Sequence, residues 1–169
     1  NDIKYFPSEI GNALKLERLY FNDNHLGGDS NNLPFPTTFA ALKSLIVLQL
    51  NNNQITAIPE EIGGLIRLTH LYVNSNALTN IHEEIGKTAL QYLHANDNEL
   101  TSLPNKITNL EDLKELLFFK NKISQLPSEG MQKLVNLEKL HRHENNALTV
   151  FPEGIGAWTG LKELLLNDN

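Results

Sequence analysis

Apolar residues recur along this chain at a fixed spacing of about 23 positions. Each unit carries leucine or another apolar residue at its first, fourth, sixth and eleventh positions and asparagine at its ninth. In most copies an apolar residue and a proline follow. The clearest units begin at Leu45, Leu68, Leu90 and Leu113. A short apolar alternation that ends in a turn predicts a strand, and its regular recurrence predicts a solenoid built from one coil per unit.

The fourth and sixth positions of a unit should face inward together, because side chains alternate between the two faces of a strand. Neighbouring strands would then pair in parallel along one side. The ninth-position asparagines would stack as a ladder and bond backbone groups that water does not reach; these are Asn53, Asn76, Asn98 and Asn121. The proline suits a turn to the opposite side. There Ile62, Leu65, Ile107 and Leu110 should return to the core.

The pattern covers residues 1–169, which predicts a single solenoid of about seven repeats. One repeat alone buries too little apolar surface, so stacking must supply the rest. The chain begins and ends at the asparagine of a repeat, Asn1 and Asn169. Neither end carries a polar cap, so we expect a fragment without terminal caps. Further chain or a partner is expected to cover both ends.

The phrase Leu-x-x-Leu-x-Leu-x-x-Asn-x-Leu resembles that of the leucine-rich repeat family, along all 169 residues. The Leu-Pro-x-x-Ile-x-x-Leu continuation is similar to that of the 23-residue intracellular, Ras-suppressor-type subgroup. The resemblance implies a right-handed curved α/β solenoid. Its parallel β-sheet would form the concave face, and short 3₁₀ or helical segments would form the convex face.

Composition narrows the possible partners. The net charge is −6 and the pI is about 5.5, which argues against nucleic acid and favours a basic or mixed protein partner. No apolar run is long enough for membrane insertion. The chain has no cysteine and no Asn-x-Ser/Thr acceptor. Secreted members of the family resemble one another in having cysteine-rich caps, so a cytoplasmic location is expected.

The outward positions of the strands contain the candidate site, because large rings with few rotatable bonds anchor protein interfaces. Aromatic residues are only 7% of the chain, yet several fall on this face. The candidate partner-binding residues are Tyr20, Gln49, His70, Tyr72, Tyr92, His94, Leu117, Phe119 and His141. A competing interpretation is that these rings only stack across strands and stiffen the sheet.

The favoured function is therefore a non-catalytic protein–protein interaction module, a scaffold or adaptor that holds its partner on the concave face, within a larger assembly. Two alternatives stay open. One is a ligand-sensing or regulatory repeat domain of a larger receptor, kinase or immune protein. The other is an architectural subunit of a large complex.

No catalytic residues, cofactor or metal site are predicted. No arrangement of Ser, His and Asp or of paired carboxylates stands out. His94, His141 and His143 could supply metal ligands, but exposed histidines are the simpler interpretation. Triplets such as Asn22-Asp23-Asn24 resemble the start of a calcium loop but lack its later Gly and Glu. They recur at one phase of the repeat, so a turn explains them.

Two segments break the pattern. Residues 27–32 are extra and rich in Gly, Asp, Ser and Asn, which predicts a surface loop, with a binding edge as the alternative. In the strand that begins at Leu137, the inward sixth position is Arg142, or His143 after a shift of one residue. We expect the strand to bulge and turn this polar group outward; a recognition kink is the alternative. Trp158 occupies an inward position and should be core.

Overall fold

A computed structural model describes residues 1–28, 34–142 and 154–166. Within these ranges the main element is a seven-stranded parallel sheet, in the order β1-β2-β4-β6-β7-β8-β9. Its strands are β1 (Arg18–Tyr20), β2 (Val47–Gln49), β4 (His70–Tyr72), β6 (Tyr92–His94), β7 (Glu115–Leu117), β8 (Lys139–His141) and β9 (Glu163–Leu165). A second, two-stranded sheet pairs β3 (Ala57–Ile58) with β5 (Asn80–Ile81). Strands from successive repeats therefore lie side by side and run the same way, as the spacing predicts.

The middle residue of each strand of the large sheet faces the core. These residues are in register from repeat to repeat: Leu19, Leu48, Leu71, Leu93, Leu116, Leu140 and Leu164. The five interior ones are buried. The first and third residues of each strand point the other way. This alternation fixes which side chains line the outer face of the sheet.

Short 3₁₀ helices form the opposite side of the coil. In the described ranges they are η1 (Ser8–Asn12), η2 (Thr37–Ala41), η3 (Glu60–Gly64), η4 (Glu83–Lys87), η5 (Asn105–Asn109), η6 (Met131–Lys133) and η7 (Ile155–Ala157). Prolines precede η1, η2, η3 and η5 in extended conformation, where a missing N–H costs nothing. Ile62, Leu65, Ile107 and Leu110 are buried, which confirms their predicted return to the core.

The predicted asparagine ladder is present. Asn53 accepts a hydrogen bond at Oδ1 from the Leu26 backbone N–H (2.9 Å) and donates from Nδ2 to the Phe21 carbonyl (2.9 Å). Asn76, Asn98 and Asn121 repeat both contacts with the repeat before them. Each amide thus satisfies backbone groups at a repeat junction that is closed to water. We call this set the inner ladder.

Arg142 corrects a prediction. Its side chain is 0% exposed, whereas an outward bulge was expected. The backbone N–H of Arg142 donates to the Leu165 carbonyl at 3.0 Å, so the sheet continues through this residue and its side chain keeps the inward direction. Nη2 donates to the Ile123 carbonyl at 3.1 Å. Burial lowers the pKa of Arg142 to about 10, so the guanidinium stays charged at neutral pH. His143 lies outside the described residues.

The predicted loop at 27–32 falls mostly outside the described residues, which include only Gly27 and Gly28 from it. Gly27 has φ of +92°, and a Cβ there would lie 2.5 Å from the Gln54 carbonyl oxygen. The chain must therefore have glycine where it leaves the repeat. Trp158 is buried, as predicted, and donates from Nε1 to the Met131 carbonyl at 2.8 Å. In the described ranges, no helix has the length and apolar character that crossing a bilayer requires.

Candidate functional site

The outward side chains of the large sheet form two rows across the strands. The first row is Arg18, Val47, His70, Tyr92, Glu115, Lys139 and Glu163, and the second row is Tyr20, Gln49, Tyr72, His94, Leu117, His141 and Leu165. Eight of the nine predicted site residues lie in these rows, and Phe119 follows two residues after β7. The structure thus places the whole predicted set on one face. Their role in binding stays a prediction.

Four rings meet at the centre of this face. His70 stacks on Tyr92 with centroids 4.5 Å apart and planes 17° apart. Tyr72 meets His94 edge to face at 4.8 Å, and His70 lies 6.0 Å from Tyr72. These four residues are called the aromatic patch. The rings do stack across strands, as the competing interpretation holds, yet all four remain partly exposed. A contiguous, partly exposed ring surface can also contact a partner.

His70 has its ring orientation fixed by its neighbour. The Thr69 hydroxyl oxygen lies 2.7 Å from His70 Nδ1 and 3.2 Å from the Ile46 carbonyl. The pKa of His70 is lowered, first by burial and then by the positive charges of Arg18 and Lys114 and by His94. The imidazole is therefore held mostly neutral at neutral pH.

Beside the aromatic patch lies a charged network that the sequence did not predict. Lys139 Nζ is 3.1 Å from a Glu163 oxygen and 3.6 Å from a Glu115 oxygen. His94 Nε2 donates to Glu115 at 2.9 Å, and His141 Nε2 donates to Glu163 at 3.2 Å. The alternation Glu, Lys, Glu at one position of three successive repeats was a usable signal, since residues in register on neighbouring parallel strands are neighbours.

The charged network and burial shift pKa values around it. The hydrogen bond from Lys139 lowers the pKa of Glu163, and the bond to Glu163 raises that of Lys139. Burial lowers the pKa of His94, and the bond to Glu115 opposes this shift without cancelling it. Burial and then the Glu115 charge raise the pKa of Tyr72. At neutral pH the face therefore combines an ionised Glu163, the Lys139 ammonium group and a largely neutral His94.

The remaining predicted residues lie apart from the aromatic patch. Tyr20 is 55% exposed on β1, separated from the patch by β2. Gln49 accepts a hydrogen bond at Oε1 from Asn22 Nδ2 at 2.9 Å. Leu117 lies between His94 and His141 in the second row. Val47 occupies an outward position but is only 8% exposed, so the first row has a shallow depression at β2.

A second asparagine ladder follows the carboxyl ends of the strands, and sequence reasoning missed it. The backbone N–H of Asn51 donates to Asn22 Oδ1 at 2.8 Å. The backbone N–H of Asn74 likewise donates to Asn51 Oδ1 at 2.8 Å. The backbone N–H of Asn96 then donates to Asn74 Oδ1, and that of Phe119 donates to Asn96 Oδ1. The side chains of these asparagines hold the repeats together. We call this set the outer ladder.

The residue after each member of the outer ladder adopts a left-handed conformation. Asp23, Asn52, Ser75, Asp97 and Lys120 have φ between 52° and 58°. Asp and Asn tolerate this region better than most residues. The described triplet Asn22-Asp23-Asn24 is thus explained by a turn, as expected. Among the described residues, no three His, Cys, Asp or Glu side chains are grouped to hold a metal ion.

Comparison with known proteins agrees with this geometry. Residues 15–78 match the family model for the leucine rich repeat. A leucine-rich repeat protein from Leptospira interrogans has 31% identity and a TM-score of 0.71, over 99% of this chain and 47% of its own. No curated protein sequence matches the chain.

Two further solved structures are similar in fold. The ectodomain of the plant membrane receptor kinase GASSHO1 from Arabidopsis thaliana has 23% identity and a TM-score of 0.78, over 98% of this chain and 20% of its own. An internalin from Listeria monocytogenes has 20% identity and a TM-score of 0.65, over 98% and 51%. The chain spans about half or less of the length of these proteins. It is a leucine-rich repeat protein, folded as the curved solenoid of that family.

Proposed function

We propose that this chain is a non-catalytic protein-binding module whose partner docks on the concave face of the large sheet. The observation that carries the proposal is the aromatic patch: four contiguous, partly exposed rings at the centre of the face. Half-buried rings lose little side-chain entropy when a partner covers them, and they contribute large contact area. Charged and polar residues surround the patch, as in the rim of an interface.

The fold supports this proposal. Stacked repeats form extended concave surfaces that this class of architecture uses for binding. A second candidate is a ligand-recognition domain of a larger receptor or kinase. It is supported by the similar fold of the GASSHO1 ectodomain, which was solved in complex with Casparian strip integrity factor 2. A scaffold role and a cytoplasmic location stay predictions from the sequence.

The test uses peptides selected from a random library against the intact chain. Their affinities are then measured for the wild type and for a Tyr72→Ala/Tyr92→Ala variant. We expect the double variant to weaken binding at least about tenfold, as loss of interface anchors does. Ile66→Ala/Val135→Ala is the matched control, because both residues are exposed in turns that lead into strands, away from the two rows.

Two results would decide against the concave face. One is binding that survives the loss of both tyrosines. The other is binding that falls equally in the control variant, which would place the interface on the edges or the convex side. Thermal melting of each variant separates loss of contact from loss of folding, since the tyrosines are not core residues and the melting temperature should change little.

A further inference from the structure

Two cationic side chains lie beside the aromatic patch. Across residues 1–28, 34–142 and 154–166, the side chains of Arg18 and Lys114 make no hydrogen bond and no ion pair. Both lie close enough to His70 to lower its pKa. The two carboxylates of the first row, Glu115 and Glu163, are by contrast each bonded by Lys139 and by a histidine. The charge of Lys114 also acts on the Glu138 carboxylate. Among the described residues, Arg18 is therefore the cation beside the patch without a carboxylate in contact.

The shape of the first row leaves space between two of these groups. Val47 lies between Arg18 and His70 in the register, and its short side chain is buried. Strands two apart are separated by about 9–10 Å. This distance allows one carboxylate group above Val47 to accept hydrogen bonds from the guanidinium on one side and the imidazole on the other.

The hydrogen bonds of His70 determine what its free nitrogen can do. The Thr69 hydroxyl has one hydrogen; in the His70 tautomer that carries its proton on Nδ1, the hydroxyl donates to the Ile46 carbonyl and its oxygen accepts from Nδ1–H. In the neutral ring Nε2 is then an acceptor, and it makes no hydrogen bond within the described ranges. Protonation turns Nε2 into a charged donor. In this tautomer only the protonated ring can donate to a carboxylate through Nε2.

Part of the acidic charge of the chain lies on the convex side. The first turns of the convex 3₁₀ helices carry Glu9, Glu60, Glu61, Glu83 and Glu84. The first row of the concave face has two cations and two carboxylates. Both of those carboxylates are already paired with Lys139, whereas Arg18 has no such pair among the described residues. The concave face fits an acidic partner rather than the basic one that overall composition favours.

We propose that Arg18 and His70 bind a carboxylate side chain of an acidic partner segment, and that binding is coupled to proton uptake by His70. The inference rests on the proposed function, since it names the chemistry of the partner at the same face. The groups that face His70 are Arg18 on β1, Val47 and Gln49 on β2, Tyr72 on β4, Tyr92 and His94 on β6, and Lys114 before β7. None of these carries a carboxylate, so the partner supplies the anion.

The sign of the pH effect follows from this coupling. A bound carboxylate favours the charged imidazole, so it raises the pKa of His70 above its value in the free chain. Binding then takes up a proton wherever the pH lies between the two values. Affinity therefore increases as the pH falls, until the partner carboxylate itself begins to protonate.

The experiment selects peptides from a random library at about pH 6 and about pH 8, which bracket ordinary histidine titration. We expect the pH 6 selection to be enriched in Asp and Glu. Enriched peptides should bind about five- to tenfold more tightly at the lower pH. Arg18→Gln should weaken them by about five- to tenfold, and His70→Gln should remove the pH dependence. Arg67→Gln, in a turn, and His25→Gln, at an exposed position outside the two rows, are the matched controls. His94→Gln tests the other imidazole of the patch.

The outcomes separate this inference from the proposed function. Peptides that need Tyr72 and Tyr92 but show no acidic enrichment, or no response to Arg18→Gln, overturn the carboxylate site alone. Peptides that respond to neither set of changes overturn both. An equal loss of pH dependence in His94→Gln assigns the proton to that residue and overturns the role of His70. Calorimetry in buffers of different ionisation enthalpy measures the proton directly.

Discussion

Asn98 links two repeats with one side chain. Its Nδ2 donates to the Val73 carbonyl of the preceding repeat at 3.0 Å, and its Oδ1 accepts from the Leu78 N–H at 2.9 Å. The residue is only 6% exposed, so water cannot replace these bonds. Hydrogen bonds of the inner ladder therefore fix the register between repeats together with the apolar packing of the core.

Replacing Asn98 with Ala should lower the free energy of unfolding by about 2–4 kcal/mol, because several buried backbone groups lose their partner. Chemical denaturation followed by circular dichroism measures the loss. Asn109→Ala is the control, since Asn109 is exposed at the end of η5 and should change stability by less than about 0.5 kcal/mol. Equal effects of the two changes would contradict the role of the ladder.

Ser75 should respond to substitution through its backbone conformation. Its φ is 53°, and its side chain is exposed. Ser75→Val should destabilise by about 1–2 kcal/mol, because a β-branched residue is disfavoured in this region, whereas Ser75→Gly should be neutral or slightly stabilising. Thermal melting distinguishes them. Ser124→Val at an exposed site without positive φ should have little effect; a similar loss there would show that the strain is not responsible.

His94 should make the fold sensitive to acid. Because its pKa is lowered in the folded chain, the unfolded chain takes up the proton first as the pH falls. Stability is therefore full above the ordinary histidine value of about 6.5 and decreases as the pH falls from there through the folded value. NMR titration of the imidazole measures this pKa. A value at or above the ordinary one would show that Glu115 outweighs burial.

Two variants should move the His94 pKa in opposite directions. Glu115→Gln removes the charge that raises it, so the pKa should fall further. Lys139→Met removes a positive charge that lowers it, so the pKa should rise. The same NMR titration checks both. Parallel shifts in the two variants would mean that Glu115 and Lys139 act on His94 through a change of structure instead of through charge.

Trp158→Phe should lower the free energy of unfolding by about 1–3 kcal/mol. The Nε1–H bond to the Met131 carbonyl is lost, and that buried oxygen then lacks this donor. The smaller ring also leaves space in the core. Tryptophan fluorescence is lost with the only tryptophan, so denaturation of this variant is followed by circular dichroism. Unchanged stability would show that Met131 finds another donor.

The sequence predicted those features that depend on spacing alone. Inward leucines such as Leu71 and ladder residues such as Asn76 follow from the repeat, because each has one structural role per coil. The outer ladder was missed since Asn51 occupies an outward position, where polar residues need no structural explanation. The sequence predicted an outward Arg142 because burying a cation is costly. It could not show that strand pairing continues through this residue and directs its side chain inward.

The chemistry of the candidate site could be predicted from the sequence only in part. The pattern identified Tyr72 and Tyr92 as outward rings, but which groups neutralise one another depends on side-chain directions. Lys139 engages two carboxylates, whereas Arg18 engages none among the residues described here, and no spacing distinguishes the two. The proposed chemistry of the partner therefore needed the structure.

The two asparagine ladders act in opposite directions along the coil. Members of the inner ladder serve the backbone of the preceding coil, and members of the outer ladder serve that of the following one. The four boundaries between coils from β1 to β7 are thus closed by reciprocal amides contributed from both sides. Duplicating or deleting a whole coil in this stretch would recreate the same boundary. An array of this kind can therefore gain or lose whole repeats while the backbone groups at each boundary keep their hydrogen-bond partners.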